Sequence, residues 1–500
     1  MAPDHSFLFG HLKYTAEFQK ALPESTAINT GIALLHDKYP NGVWYLDVWP
    51  FSQPLMVITS PITATQMQKY SSWIKPVDIN DAFMVLCAGN NTFSMTEQEW
   101  KPWRSLFNPS FSASYMLELA PLIAREAEVL CSNIRRKAQS GGLIEMETLF
   151  SSLALDVIGS TSLETTFGHQ IRPNYLATVL RRQVEWFSFG SVVDPWKLLN
   201  PFRPLVIWNN KRVMRNYLGA EIDKRYAELK HGSTDKKQGP KSIISLALKE
   251  YASAPANGEK SVLQKLPYGQ FKATLIGQII MFMLAGHETT STTMCFCFDM
   301  LFRNPETLRK IRAEHDEVFG SDRSQSHICS IVGSEPERLN KLSYTLAVIK
   351  ETLRLQPPVS SIHDGNPAIN LTDDNGVTYP TDGMKVWVIH TAIHRNPKYW
   401  KEPDAFIPER WLAKEGDPLY PFKGAWRPFE FGSRNCIGQS LALMELKLVL
   451  LMACREFDVT PAYEKGAPEV YGSPAYMVQD KGLGGKCSDG FPCTVSFAKA

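Results

Sequence analysis

The chain has 500 residues, 44% hydrophobic and 21% charged, which is ample apolar material for a packed globular core. Its formal net charge is +2 with no dense basic block, and this excludes nucleic acid as the main partner, because phosphate binding needs a concentrated basic surface. Nine cysteines, an odd number without zinc-type spacing, fit free thiols in a reducing compartment better than a disulfide framework.

No linker rich in Gly, Ser, Pro or charge divides the sequence, so residues 1–500 are expected to form a single domain. Met1 to Lys20 holds neither a signal-peptide pattern nor eighteen consecutive apolar residues, and nothing is expected to span a bilayer. The apolar, β-branched runs Val43 to Trp49 and Leu55 to Thr59 flank a turn-like Phe51-Ser-Gln-Pro and predict a hairpin. Pro61 to Tyr70 reads as helix, and Ile74 to Asn91 as an irregular loop. Glu97 to Leu106 is predicted helical, which puts Trp100 and Arg104, four apart, on one face. Pro102 then falls within about the first turn, where it is best tolerated.

Leu117 to Leu180 is mainly helical in pattern. Between Val192 and Trp208, Trp196, Leu198, Leu199, Phe202, Leu205, Val206, Ile207 and Trp208 cluster with three prolines and are followed by Lys211 and Arg212, a composition suited to a membrane interface. Lys230 to Lys241 and Ala252 to Lys260 read as surface loops. Pro267 to Arg303 predicts one long apolar helix whose centre, Ala285-Gly-His-Glu-Thr-Thr290, inserts small and polar residues that need partners or a function. There the Thr289 hydroxyl can bond back to the Ala285 carbonyl, loosening the helix and opening a groove. Cys295 and Cys297, two apart, face different sides and read as core packing.

Leu346 to Leu355 is helical, with Glu351 and Arg354 three apart on a shared face. Trp387 to His390 reads as a short strand, and His390 and His394 as packed or surface histidines. The segment Phe429-Glu-Phe-Gly-Ser-Arg-Asn-Cys-Ile-Gly438 then sets one cysteine between two glycines, just before a helical run from Ser440 to Cys454. Gly432 and Gly438 can adopt backbone conformations closed to other residues, so the loop can turn tightly and present the Cys436 sulfur. Unpaired N–H groups at the helix start favour a thiolate there.

Phe429-x-x-Gly432-x-x-x-Cys436-x-Gly438, with Arg434 inside it, resembles the haem-binding signature of the cytochrome P450 family. Four further motifs follow the family's order: Trp100/Arg104, Ala285 to Thr289, Glu351/Arg354, and Arg410 in Pro408-Glu-Arg-Trp411. The resemblance covers nearly the whole chain. It implies a mainly α fold with a smaller β region, one triangular domain enclosing haem b. Cys436 would be the axial iron ligand, and Trp100, Arg104, His363 and Arg434 would hold propionates. Glu288 and Thr289 would relay protons, Glu351, Arg354 and Arg410 would form a buried structural network, and Ala285, Val359 and Ile362 would line the substrate pocket.

The reaction implied is insertion of one oxygen atom from O2 into a hydrophobic small molecule, with electrons from NADPH through a cytochrome P450 reductase, and with cytochrome b5 as a further electron partner. Lys101, Arg104, Lys423, Arg427, Lys447 and Arg455 flank the haem segments and are expected to form a basic face for an acidic reductase. Gly424-Ala-Trp-Arg427 and Arg427-Pro-Phe-Glu resemble filamentous-fungal members acting in secondary metabolism. Such members are microsomal, so the resemblance implies the cytosolic face of the endoplasmic reticulum if a native N-terminal anchor has been removed, and the cytoplasm otherwise. A haem-thiolate isomerase or dehydratase, or a haem sensor, would also use Cys436, but neither needs the Glu288/Thr289 pair.

Overall fold

The computed structural model describes residues 3, 5–35, 38–50, 52–69, 73–187, 200–231, 242–253, 259–479 and 484–498. Trp196, Leu198 and Leu199, residues 232–241 and residues 254–258 therefore lie outside the described residues. The architecture is mainly helical, with the strands gathered in small sheets.

The long apolar run becomes one helix, Tyr268–Arg303, about 54 Å long at 1.5 Å per residue. It is buried along most of its length because its sequence is apolar nearly all round, as a helix through a core must be. Met281, Ala285 and Thr289 interrupt the burial at four-residue spacing, which marks one face turned to a cavity. The Met146–Leu163 helix lies close against it at Gly286, where a Cβ would stand 3.3 Å from Ile158 Cγ1. At Gly277 the Asn90 carbonyl oxygen lies 2.3 Å from the place a Cβ would take, so only glycine lets the 89–91 segment cross there.

Eleven strands are described: β1 (Val43–Leu46), β2 (Leu55–Ile58), β3 (Ile144–Glu145), β4 (Ser361–Asp364), β5 (Asn370–Thr372), β6 (Thr378–Pro380), β7 (Lys385–Val388), β8 (Phe457–Pro461), β9 (Met477–Val478), β10 (Lys486–Cys487) and β11 (Pro492–Phe497). The largest sheet has the order β1-β2-β7-β4. The expected hairpin forms its edge, with Val43 opposite Ile58, and β2 runs parallel to β7. Antiparallel pairing of β4 with β7 sets Ile362 opposite Trp387 and brings the residues around His363 to the cavity.

Three local expectations are corrected. Ile74 to Asn91 is not a loop throughout: Val77–Leu86 is a helix, started after Pro76 and carrying Asp78 in its first turn, with Phe83 and Leu86 buried. Its polar residues hid that short apolar face. Pro102 is the sixth residue of the Glu97–Phe107 helix, past the first turn, so it removes the donor that would meet the Gln98 carbonyl. The strand near Trp387 ends at Val388, and His390–His394 is a short helix. Cys295 and Cys297 are fully buried in the core, as expected.

Glu351 and Arg354, on the Ser343–Leu355 helix, are completely buried, and Arg410 joins them from the turn Pro408–Trp411. Arg354 donates through Nε and Nη2 to the two Glu351 oxygens at 2.9 and 2.8 Å, and Arg410 Nε donates to Oε1 at 3.1 Å. Trp411 Nε1 and the Ile407 N–H add bonds of 3.1 and 3.0 Å to the same carboxylate. Arg354 also donates to the carbonyls of His394, Pro403 and Ala405, so the network fastens the segment from 394 to 411 onto the helix. Glu351→Ala leaves two guanidinium groups buried without their shared anion, and urea unfolding should show a loss of about 3 to 5 kcal/mol. A loss below about 1 kcal/mol, the scale of an exposed pair, contradicts this description.

Candidate active site

The loop from Phe429 to Gly438 is shaped by its backbone. The Cys436 N–H donates to the Phe429 carbonyl at 2.9 Å, and Gly432 sits at φ +82°, in the left-handed region. Gly438 does not need that freedom: its φ is −81°, and it caps the Gln439–Glu456 helix. A Cβ there would approach the Cys436 sulfur to 3.9 Å, an ordinary contact, so neither backbone nor space requires glycine at this position. Glu430, a residue the sequence reading passed over, also has positive φ, +54°. Arg427 Nη2 donates to it at 2.5 Å and His390 Nε2 at 2.8 Å.

His390 Nδ1 lies 2.9 Å from the Val359 carbonyl. Both its nitrogens face oxygen acceptors. His394 differs: Nδ1 donates to the Arg354 carbonyl at 2.9 Å, and Nε2 accepts from the Arg427 N–H at 2.9 Å, which fixes one neutral tautomer. Burial opposes ionisation of Glu430, but His390 and Arg427 outweigh it and hold the carboxyl well below the usual range. Phe429 packs edge-on to Trp426 at 5.9 Å and does not reach the cavity.

Cys436 faces a cavity of about 610 Å³ that lies deep in the protein, so its sulfur is accessible yet far from bulk water. The expectation of a favoured thiolate is corrected in the free protein. Burial raises the thiol above its ordinary value, and the N–H groups of Gly438 and Gln439 and the Arg104 charge offset this only in part. A bound metal cation reverses that balance, because a coordinated thiol is deprotonated outright.

Ala285, Glu288 and Thr289 of the Tyr268–Arg303 helix line the same cavity. Thr289 Oγ1 donates to the Ala285 carbonyl at 2.8 Å, as anticipated, and Thr293 Oγ1 repeats the bond one turn later to Thr289 at 2.7 Å. The helix nevertheless runs on without a break. Val359 and Ile362 also line the cavity, with Ile79, Phe83, Phe93 and Phe282 as further apolar walls.

Cationic and donor groups gather around it. Arg434 stacks over Trp100 at 4.7 Å and donates through Nη2 to the Met95 carbonyl at 3.1 Å. Arg104 grips the cysteine loop, donating to the Asn435 carbonyl and its side-chain oxygen at 2.8 and 2.7 Å. His363 Nε2 meets Ser361 Oγ at 2.9 Å, and burial and the Lys75 charge push this histidine well below its ordinary value. Lys75 was not anticipated. It donates to the Ile362 carbonyl at 2.9 Å, and burial and the nearby Arg434 bring its ammonium down to about 8 against the pull of Glu430.

Trp73 Nε1, His363 Nδ1 and Arg434 Nε are buried without protein partners, all on residues that line this cavity. One accessible sulfur on one wall, with a set of unpaired donors and positive charge beside it, suits a flat iron-bearing macrocycle that carries two carboxylates. Among the described residues no cluster of three metal-ligating side chains exists, and the Cys436 thiol is a donor that fits such an iron.

The expected basic face is also corrected. Arg427, Lys447 and Arg455 are buried, bonded to Glu430, the Leu339 carbonyl and Asp316, and Arg104 is spent on Asn435. Only Lys101 and Lys423 of the six are exposed, and Lys101 pairs with Glu97 at 2.6 Å. Charges beside a buried motif were consumed by holding the loop.

Comparison with known proteins gives a consistent picture. A family model described as cytochrome P450 matches residues 24–483. The chain is similar to the cytochrome P450 monooxygenase polC of Polytolypa hystricis, at 36% identity over 99% of this chain and 89% of the relative. It is also similar to the cytochrome P450 monooxygenase acrF of Aspergillus aculeatus, at 29% over 92% and 96%, and to human cytochrome P450 3A7, at 27% over 85% and 81%. The crystal structure of a cytochrome P450DA heme domain superposes with a TM-score of 0.78 over 100% of this chain and 97% of that one. At 20% identity that likeness shows the fold, mainly α with a smaller β region.

The stability supplied by the Glu430 carboxylate is present above the ordinary glutamate range, about pH 4.3, and is lost as pH falls from there toward its depressed value. Glu430→Gln should therefore be less stable at pH 7 by roughly 1.5 to 3 kcal/mol, with the gap to wild type narrowing in acid. Urea unfolding across that range measures the difference, and a gap that does not change with pH speaks against the ion pair.

Proposed function

Since the chain belongs to the cytochrome P450 family and is a monooxygenase, we propose that it holds haem b through Cys436 and inserts one oxygen atom of O2 into a hydrophobic small molecule. The observation that carries this reading is that Cys436 shares one cavity with Ala285, Glu288 and Thr289. When bound, the haem supplies dioxygen activation, its thiolate ligand favouring O–O cleavage.

The chain's own residues supply the rest. Trp100, Arg434, His363 and Lys75 bind the carboxylates of the group, and Arg104 acts through Asn435 to keep the cysteine loop in register. Glu288 transfers a proton toward the cavity, and Thr289 passes it inward. In the resting arrangement the Thr289 hydroxyl spends its hydrogen on the Ala285 carbonyl, so its oxygen presents an acceptor to the cavity. Donation inward requires that bond to be exchanged. Ile79, Phe83, Phe93 and Phe282 exclude water and favour an apolar skeleton over a polar one.

The same reading takes the electrons from NADPH through a cytochrome P450 reductase, with cytochrome b5 as an additional donor, and puts residues 1–500 to work as one catalytic domain in fungal secondary metabolism. No helix among the described residues is long and apolar enough to cross a membrane. Phe202, Leu205 and Trp208 are 65%, 60% and 57% exposed at the start of the Arg203–Lys230 helix, which supports a peripheral contact with the cytosolic face of the endoplasmic reticulum through residues 192–208.

Two outcomes are expected. Thr289→Ala should keep haem but release more hydrogen peroxide per NADPH consumed, and an unchanged ratio of product to NADPH would count against the relay. Replacing Phe202, Leu205 and Trp208 together with serine should weaken sedimentation with phosphatidylcholine vesicles by roughly tenfold or more, given about 25 cal/mol for each Å² of apolar surface lost. Equal sedimentation removes the membrane contact.

A further inference from the structure

A proton given up by Glu288 has to be replaced from solvent, yet that carboxyl is buried in the middle of a helix. The Met146–Leu163 helix starts with a group suited to the task. Its second residue, Glu147, lies 3.5 Å from Lys486 Nζ, and the two side chains are 16% and 31% exposed, so the pair stands between solvent and core. The strand carrying Lys486 is fastened to the Tyr268–Arg303 helix one turn beyond Glu288, where Thr292 Oγ1 donates to the Gly485 carbonyl at 3.1 Å. Gly484 and Gly485 themselves line the cavity. A Cβ on Gly485 would stand 2.2 Å from Met477 Sδ, so any side chain here would have to push the methionine aside.

We propose that Glu147 is the solvent-side proton station for Glu288, held in place by Lys486, with the proton reaching the cavity along the seam at Thr292 and Gly485. The inference rests on the reading of Glu288 and Thr289 as the inward relay. The step is a plain proton transfer: a proton leaves the Glu147 carboxyl, crosses water in the seam and arrives on the Glu288 carboxylate, and Glu147 takes its replacement from bulk solvent.

The surroundings suit such a station. Burial raises the Glu147 carboxyl above its ordinary value, and the nearby Glu288 adds to this, while Lys486 and Arg181 pull the other way. The thiols of Cys295 and Cys487, also near Glu147, are raised far above their ordinary value by burial and stay neutral. Glu147 therefore holds a proton more readily than a free glutamate while keeping contact with water.

The holoenzyme tests this in turnover and at rest. Glu147→Gln should lower kcat roughly tenfold, raise peroxide release and enlarge the solvent deuterium isotope effect, with haem content, the carbon monoxide spectrum and Tm unchanged. Normal coupling and isotope effect with a lowered Tm would make the pair a structural tie and overturn the proposal. In the resting ferric enzyme, infrared titration of the Glu147 carboxyl should show its midpoint falling in Glu288→Gln and rising in Lys486→Met. A midpoint indifferent to Glu288→Gln refutes the connection even where Glu147→Gln fails to fold. If Glu288→Gln itself leaves coupling intact, the inward relay has failed; if Glu288→Gln uncouples and Glu147→Gln does not, only this inference has.

Discussion

A thiol that faces a cavity is useful as a ligand only if the loop beneath it cannot drift, and here that loop is tied to a carboxylate with no access to water. Glu351 accepts from Arg354, Arg410, Trp411 and the Ile407 backbone. From Arg354 the connection runs through His394 to the Arg427 backbone, and from the Arg427 side chain to Glu430 and His390. Glu430 lies three residues after Arg427 and six before Cys436: its carboxylate is held by Arg427 and His390, its backbone is left-handed, and the Cys436 amide is bonded to its neighbour Phe429. Most of these links are buried, Glu430 and Trp411 only partly, and at buried links losing a partner costs several times what it would at a surface.

The cavity above the loop divides by chemistry. Positive charge and unpaired donors collect around Lys75, His363, Arg434 and Trp73, whereas Phe83, Phe93 and Phe282 present only hydrocarbon. The central helix lines the cavity with Met281, Ala285 and Thr289 at four-residue spacing, together with Phe282, Leu284 and Glu288. The polar side chains that the helix brings to the cavity are those of Glu288 and Thr289.

How much of this could be read from the chain follows from the range of each interaction. Trp100 with Arg104, Glu351 with Arg354, and Ala285 with Thr289 lie three or four residues apart, so helical spacing alone brings them together. The hairpin at Val43 and Leu55 was legible for the same reason, being local. Lys75 was not, because its partner is the carbonyl of Ile362 and no spacing connects them. Glu430 carried no local sign of its positive φ, and Asn435 none of its hold on Arg104. The basic residues around the motif were misread because sequence shows charge but not burial: Arg427 and Arg455 are inside. The helix Val77–Leu86 was missed because its apolar face is only a few residues wide.

The proposed chemistry requires sulfur from Cys436 to bind haem iron. The direct measurement is the absorption spectrum of the reduced protein under carbon monoxide. A Soret band shifted to the long-wavelength position of a thiolate-ligated haem, lost in Cys436→His although haem is retained, is the result expected. A band at the position of a histidine-ligated haem in the unaltered protein, or an unaltered spectrum in Cys436→His, would contradict the assignment.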